Sequence, residues 1–173
     1  RPLKSHKGAF GRALLIGGLY PYGGAIIMAA LATVNSGAGL VTVASDPANI
    51  SALHSHLPEA MAFDLADSAL LTQQIQASNV ILIGPGLGTS PLAQKTLALV
   101  LAQTSPEQIL IIDGSALDLL AEKDQIDWPT QKLALTPHQK EWERLSGIAI
   151  AQQNQENTQT ALAIFPSQTI LVA

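Results

Sequence analysis

The sequence has no cysteine, few charged residues and few aromatic ones. Of its 173 residues, 13% are Asp, Glu, Lys or Arg, 4% are Phe, Trp or Tyr, and none is Cys. Without cysteine the chain forms no disulfide, no thiolate nucleophile and no cysteine-ligated zinc site. Because the absence of disulfides suits a reducing compartment, we expect a cytoplasmic protein.

Basic residues and long hydrophobic segments are scarce as well. The 9 Lys and Arg against 13 Asp and Glu give a formal net charge of −4, which leaves no basic stripe for nucleic acid. Residues 13–45 carry no charge, but glycines and Pro21 interrupt them. Their apolar run 25–31 is far shorter than the roughly 20 residues of a spanning helix, so we expect no membrane partner.

Short aliphatic runs alternate with amphipathic segments along the chain, and 47% of the residues are hydrophobic. The runs predict strands at 12–16, 40–44, 80–83, 109–112, 133–135 and 170–172, with helices at 24–36, 90–103, 115–122, 139–146 and 154–164. Because the runs are continuous rather than alternating, we expect strands buried on both faces of a parallel sheet. The prediction is an α/β three-layer sandwich, a mostly parallel sheet flanked by helices, built as one domain over 1–173.

The two ends of the chain lead to a further expectation. The first residue is Arg1 rather than Met, and the last five, 169–173, form an apolar, β-branched run typical of a strand. Since nothing follows that strand, we expect the domain to be incomplete at its C-terminus.

A glycine-rich loop follows the predicted strand 80–83 and leads directly into a helix. Its residues are Gly84-Pro85-Gly86-Leu87-Gly88. Glycines allow a backbone to approach a ligand closely, and a helix N-terminus favours an anion. A tight turn without a ligand is an equally good interpretation. The spacing fits neither a Rossmann fingerprint nor a Walker loop.

Two more strand ends carry polar residues. Asp113 follows the strand 109–112, where its carboxylate fits either a ligand contact or, with Ser115, a helix cap. The strand 133–135 runs into Thr136-Pro137-His138, with Glu141 three residues on. We expect Pro137 in the first helical turn, which places His138 and Glu141 on one side of the helix facing the crevice. The two side chains fit a proton-transfer pair, and Thr136 as N-cap with Glu141 in the first turns is an equally good interpretation.

Other candidates are weaker. His54 and His56 are separated by one residue, so they diverge on a helix and are expected at the surface rather than around a metal. Trp128 and Trp142 are expected to pack in the interior or at an interface. No residue cluster in the sequence predicts a metal site.

Eight motifs occur in order along the chain: His6-Lys7-Gly8-Ala9-Phe10-Gly11-Arg12, Leu15-Ile16-Gly17-Gly18, Tyr22-Gly23-Gly24-Ala25, Ser36-Gly37-Ala38-Gly39-Leu40-Val41, Pro58-Glu59-Ala60-Met61, the loop from Ile83 to Gly88, Asp113 with Ala116-Leu117, and Thr136-Pro137-His138. Together they resemble the ADP/ATP-dependent NAD(P)H-hydrate dehydratases. The resemblance implies a ribokinase-like fold, which agrees with the pattern of strands and helices.

The resemblance also implies an activity. Members of this family repair NADH and NADPH that have gained water, by phosphorylating the added hydroxyl with ADP or ATP and Mg²⁺ and then eliminating phosphate. It implies that Ala25, Gly86 or Gly88, and His138 contact the hydrated dinucleotide and that residues 138–144 edge the pocket. With Asp113 and Glu141 they form the predicted substrate site. A homotetramer is implied as well.

The sequence departs from the family pattern at three places. Asp113-Gly114-Ser115-Ala116 stands where the family has Asp-Ala-Asp-Ala, and Tyr22-Gly23-Gly24-Ala25 where it has Tyr-Pro-Gly-Ala. The family's nucleotide-binding lysine turn and its Gly-x-Gly-Asp with the catalytic aspartate are expected beyond Ala173. We therefore expect no catalytic residue within the chain, and an inactive fragment. The alternatives are a ribokinase-like kinase of a small alcohol or vitamin precursor, and a non-catalytic nucleotide-binding module.

Overall fold

The computed structural model describes residues 10–123 and 125–172, so the motif residues His6 to Ala9 lie outside it. Strands and helices alternate throughout: β1 (Arg12–Ile16), α1 (Gly23–Asn35), β2 (Leu40–Ser45), α2 (Ala48–His56), β3 (Met61–Asp64), α3 (Ser68–Ala77), β4 (Val80–Ile83), α4 (Pro91–Gln103), β5 (Ile109–Ile112), α5 (Ser115–Ala121), β6 (Leu133–Leu135), α6 (Gln139–Ser146), α7 (Gln155–Leu162) and β7 (Ile170–Leu171). A 3-10 turn, Ile150–Gln152, joins α6 to α7.

All strand pairs in the sheet are parallel, and the strand order is β3-β2-β1-β4-β5-β6-β7. From β1 the chain first winds outward to β3 and then returns to the other side of β1 as β4. The order therefore reverses between β1 and β4, which is where open parallel sheets bind ligands. The register aligns Ile16 with Ile83, Ile83 with Ile112, and Ile112 with Leu135, so the carboxyl ends of four strands are level.

Helices cover both faces of the sheet, which confirms the three-layer α/β architecture. One core contains Leu15, Val41 and Val43 of the sheet with residues of α1 and α2, including Ile26 and Leu53. The larger core lies on the opposite face and unites α3 to α6 with the alternate strand positions. Its strand residues are Leu14, Ile16, Ala44, Ile81, Ile83, Leu110, Ile112, Leu133 and Leu135.

The predicted strands and helices are confirmed to within two residues at each end. Two expectations fail. The prediction omitted α2, β3 and α3. The strand β3 reads Met-Ala-Phe-Asp and lies half-buried at the sheet edge, so it lacks the aliphatic run of a central strand. The expectation that the strands are buried on both faces is also wrong for β4 to β6, because Leu82, Ile111 and Ala134 on one face are only half-buried. On that side of the sheet, α1 and α2 pack over β1 and β2.

The aromatic side chains near the C-terminal end of the described chain form one cluster. The ring of Phe165 lies 5.9 Å from that of Trp142 and 5.8 Å from that of Trp128. Trp142 is 2% exposed, so its predicted packing role is confirmed. Within the described residues, no helix combines the length and the apolar character needed to cross a membrane.

Gln108 ties the ends of α3 and α4 to the start of β5, and we expect its loss to destabilise the fold. Its amide donates to the carbonyls of Ile75 and Ser78, each at 2.6 Å, and its Oε1 accepts from the Ser105 amide at 2.7 Å. Gln108→Met keeps the approximate volume but removes these three hydrogen bonds. We predict a loss of about 2–4 kcal/mol in the free energy of unfolding, measured by urea denaturation.

Gln76→Met is the matched control, because Gln76 is exposed and its side chain donates to the side chain of Gln103 at the surface. Its cost should stay below about 0.5 kcal/mol. Equal losses for the two variants would contradict the bridging role of Gln108.

Candidate functional site

A cleft of about 930 Å³ opens at the level carboxyl ends of β1, β4, β5 and β6. It lies over the point where the strand order reverses, and its floor reaches the half-buried Leu82 and Ile111. The walls come from the segments that follow each strand. They are Leu19, Tyr20 and Tyr22 after β1, Ala25, Met28 and Ala29 of α1, residues 85–90 after β4, residues 113–115 after β5, Asp118 of α5, Thr136 after β6, and Glu141 of α6.

The loops after β1 and β4 are hydrogen-bonded to each other. The Gly18 amide donates to the Pro85 carbonyl at 2.9 Å, and the Leu19 amide donates to the Gly86 carbonyl at 2.8 Å. These bonds continue the pairing of β1 with β4 beyond the last strand residues. The two loops therefore form one wall rather than two independent flaps.

Two glycines of the β4 loop are required by close backbone approach. Gly84 has φ +125° and a Cβ there would collide with the Asp113 carbonyl; Gly86 has φ +63° and a Cβ would collide with the Tyr22 carbonyl. Gly88 also has a left-handed φ, of +68°, but open space lies beside it. The loop therefore combines both interpretations of the sequence: a close-packed turn at Gly84 and Gly86, and a free surface at Gly88 on the cleft.

The N-terminus of α4 borders the cleft through Thr89 and Ser90. Ser90 is the N-cap and its hydroxyl accepts from the Ala93 amide at 3.2 Å, while Pro91 begins the helix. The positive end of the helix dipole is thus directed at the cleft, where it favours an anion by about 0.3–1 kcal/mol.

Asp113 faces the cleft rather than capping a helix. Gly114, with φ +51°, is the N-cap of α5 and makes no side-chain cap bond, so the cap interpretation for Asp113 and Ser115 is wrong. The Thr136 hydroxyl donates to Asp113 Oδ1 at 2.6 Å, which fixes the carboxylate between the ends of β5 and β6.

His138 and Glu141 form a capping box at the start of α6. His138 Nδ1 accepts from the amides of Lys140 and Glu141 at 3.2 and 3.1 Å, and Glu141 Oε2 accepts from the His138 amide at 2.9 Å. The expected placements of Pro137 inside the helix and of Thr136 as N-cap are both wrong, because His138 itself is the N-cap. The two hydrogen bonds to His138 Nδ1 place the helix start at His138, whereas the prediction had relied on the preference of proline for the first helical turn.

The capping box also determines which ring nitrogen of His138 carries the proton. Because Nδ1 accepts hydrogen bonds, the neutral ring carries its proton on Nε2, which lies 3.4 Å from Glu141 Oε1. The side chain of His138 is 64% exposed and that of Glu141 is 9% exposed. Of the six predicted substrate-site residues, the cleft is lined by Ala25, Gly86, Gly88, Asp113 and Glu141, while His138 lies beside Glu141 outside the lining set.

The remaining charged residues near the cleft are paired. Arg144 of α6 donates to Asp118 of α5 in a short ion pair at the rim, next to a smaller cavity of about 490 Å³. Among the described residues, no group of three or more acidic or histidine side chains forms a metal site. His54 and His56 lie exposed on α2, as predicted, and line no part of the cleft.

The predicted site residues did not include Tyr20, Tyr22 and Met28, which form the outer lip of the cleft, although Tyr22 begins one of the family motifs. They are 89%, 58% and 67% exposed, which is unusual for large apolar side chains in one short segment. For Tyr20 and Tyr22 the available signal was their position just after Gly17-Gly18, where β1 ends at the reversal of strand order, whereas Met28 lies further along in α1.

Comparison with known proteins gives a consistent result. A model of the NAD(P)H-hydrate dehydratase family matches residues 13–173. The ADP-dependent (S)-NAD(P)H-hydrate dehydratase of Streptococcus thermophilus is 63% identical over 169 residues, which are 98% of this chain and 61% of that protein. The Streptococcus pneumoniae enzyme of the same name is 56% identical over 172 residues, 99% of this chain and 59% of that protein. The chain thus spans about three fifths of the length of the curated relatives it matches.

Solved structures show the same relationship. A Streptococcus mutans protein superposes with a TM-score of 0.96 at 65% identity, covering 100% of this chain and 62% of that one. The Bacillus subtilis ADP/ATP-dependent NAD(P)H-hydrate dehydratase, co-crystallised with ATP and Mg²⁺, gives a TM-score of 0.79 at 26% identity, covering 99% of this chain and 60% of that one.

Gly86 and Gly88 offer a direct test of the joined wall. Gly86→Ala forces a side chain against the Tyr22 backbone, so we predict a loss of about 3 kcal/mol or more in unfolding free energy. Gly88→Ala meets no atom and should cost only the left-handed backbone strain, about 1–2 kcal/mol. Thermal and urea unfolding measure both, and losses of equal size would show that the loops do not lock at Gly86.

Proposed function

The chain belongs to the NAD(P)H-hydrate dehydratase family, and on that premise we propose that its cleft binds hydrated NADH or NADPH for ADP-dependent dehydration. The added hydroxyl of the nicotinamide ring loses its proton and takes a phosphoryl group from ADP, which leaves as AMP. The phosphate then departs from its ring carbon while the neighbouring carbon loses a proton, and the ring double bond is restored. Hydroxide is a poor leaving group, whereas the charge on a departing phosphate is readily stabilised. The names of the relatives favour ADP over ATP and the S epimer of the hydrate.

The observation that carries the proposal is the position of the cleft. It lies at the reversal of strand order, it has a glycine-rich wall, and it receives the positive end of α4. These features suit a ligand with phosphate groups and planar rings. A volume of about 930 Å³ is at the upper end for a small-molecule site, as a dinucleotide requires.

The predicted residues receive separate roles in this proposal. Ala25 and Gly88 leave room for the dinucleotide backbone, and Gly86 holds the loops after β1 and β4 together. Asp113, oriented by Thr136, accepts a hydrogen bond from a ligand hydroxyl. His138 presents Nε2 at the edge of the site, and Glu141 holds it there.

Mg²⁺ fits the cleft as a companion of the nucleotide. This ion binds proteins through one or two carboxylates and completes its shell with phosphates and water. Asp113 is the carboxylate at a strand end that suits this role, and the described residues provide no cluster that would hold a metal alone. Mg²⁺ bound to the nucleotide phosphates would neutralise their charge beside Asp113.

The chemical step needs residues that the sequence does not contain. None of the 173 residues forms the family's Gly-x-Gly-Asp with its catalytic aspartate or its nucleotide-binding lysine turn. We therefore expect the 173-residue chain to bind hydrated NADPH but not to restore it. We also propose, from the family resemblance, a homotetramer in the cytoplasm, which analytical ultracentrifugation and cell fractionation would test.

A hybrid protein tests the proposed function. Residues 13–173, which the family model matches, would replace the corresponding segment of the Streptococcus thermophilus relative. Recovery of the dihydronicotinamide absorbance from hydrated NADH would then be followed with ADP and Mg²⁺. We expect recovery in the hybrid, phosphate release in equal amount, and none in the 173-residue chain. A phosphorylated product that keeps its phosphate would indicate a small-alcohol kinase instead, and no nucleotide turnover would refute the enzyme assignment.

His138 can be tested apart from its capping role. Asn is an efficient N-cap, so His138→Asn should keep the free energy of unfolding within about 0.5 kcal/mol, whereas His138→Ala should lose about 1 kcal/mol. Both variants lose the imidazole, and we predict that both lower the affinity for hydrated NADPH about tenfold. Normal affinity in His138→Asn would show that His138 only caps α6.

A further inference from the structure

We propose that Asn49 of α2, which does not line the cleft, is a positioning residue that fixes the loop after β1 and thereby one wall of the substrate site. The inference rests on the proposed function only for what the wall binds. The positioning itself follows from the hydrogen bonds and packing around the Gly18 carbonyl.

Asn49, Ser45 and the Gly18 carbonyl form a closed triangle. The Asn49 amide donates to the Gly18 carbonyl in a short bond and to Ser45 Oγ at 3.0 Å. Ser45 Oγ in turn donates to the same Gly18 carbonyl at 3.1 Å. Both amide hydrogens of Asn49 and the hydroxyl hydrogen of Ser45 are therefore used, and Ser45 is only 2% exposed.

The triangle holds the loop from the side opposite the β4 loop. On one side the amides of Gly18 and Leu19 donate to Pro85 and Gly86, and on the other the Gly18 carbonyl accepts from Asn49 and Ser45. The peptide group between Gly18 and Leu19 is thus hydrogen-bonded at both its N–H and its C=O. Leu19, Tyr20 and Tyr22, which line the cleft, follow directly along the chain.

Asn49 also packs against the start of α1. A Cβ on Gly23 would collide with the Asn49 side chain, and all three nearest atoms are Oδ1, Cγ and Nδ2 of that residue. Gly23 is the first residue of α1 and the place where the family resemblance has proline. Glycine at position 23 makes room for the Asn49 side chain, so the two residues together determine where α1 starts and where Ala25 lies.

The first test replaces the amide by a carboxylate of the same shape. Asn49→Asp removes both donated hydrogens, and we expect amide hydrogen exchange at Leu19 and Tyr22 to accelerate at least about tenfold while the amides of β5 stay unchanged. Asn157→Asp is the matched control, because Asn157 also donates to a backbone carbonyl, that of Gln152, far from the cleft. It should leave Leu19 and Tyr22 unchanged.

The second test measures coupling between Asn49 and Gly23. Gly23→Ala should weaken binding of hydrated NADPH about fivefold to tenfold by displacing Asn49, and it should have little further effect when Asn49 is already Ala. Independent effects of the two substitutions, or unchanged loop exchange in Asn49→Asp, would overturn the positioning role. If the unsubstituted chain fails to bind hydrated NADPH, the proposed function fails, and the exchange comparison still decides the role of Asn49.

Discussion

The contact between the backbone loops after β1 and β4 is the constraint on which the rest of the site depends. These strands are neighbours in the sheet but are separated in sequence by β2 and β3 with their helices, because the strand order reverses between them. Their loops leave the sheet side by side and stay paired through Gly18, Leu19, Pro85 and Gly86. Glycine at position 86 allows this approach, and the cleft is the space left beside the joined loops.

The carboxylates of the cleft are all held by hydrogen bonds or an ion pair, which composition does not reveal. Asp113, Asp118 and Glu141 all line it, and three free carboxylates would repel phosphate groups. Each is engaged: Asp113 by the Thr136 hydroxyl, Asp118 by Arg144, and Glu141 by the His138 capping box. The hydrogen bonds orient these groups, and the ion pair of Asp118 cancels its charge at the rim. With the charge of Asp118 cancelled, the N-terminus of α4 attracts an anionic ligand against less electrostatic repulsion.

Much of the fold was predictable because its central strands are aliphatic and its turns contain glycine or proline. β1, β2, β4, β5 and β6 all follow this rule, and the glycine loop, Asp113 and Glu141 lie where strand ends converge. β3 was missed because an edge strand needs no aliphatic run. The cap at His138 was missed because imidazole is an uncommon N-cap, and its role depends on Glu141 folding back onto the same turn.

The contribution of Asn49 could not be predicted from the sequence at all. Its partners, Gly18 and Gly23, lie more than a helix away in sequence, and only the packing of α2 beside the end of β2 brings them together. Residues that act through backbone carbonyls leave no periodic pattern. Motif searches therefore find residues at strand ends and miss those that hold the loops.

The central claim is our proposal that the cleft at the reversal of strand order binds the hydrated dinucleotide, and chemical-shift mapping tests it most directly. The 173-residue chain would be titrated with hydrated NADPH while its backbone amides are followed by NMR. The account predicts that the largest shifts occur at Ala25, Gly86, Gly88 and Thr89, with smaller ones at Asp113 and His138. Shifts concentrated elsewhere, such as on α2 or α7, or no saturable shift at all, would contradict it.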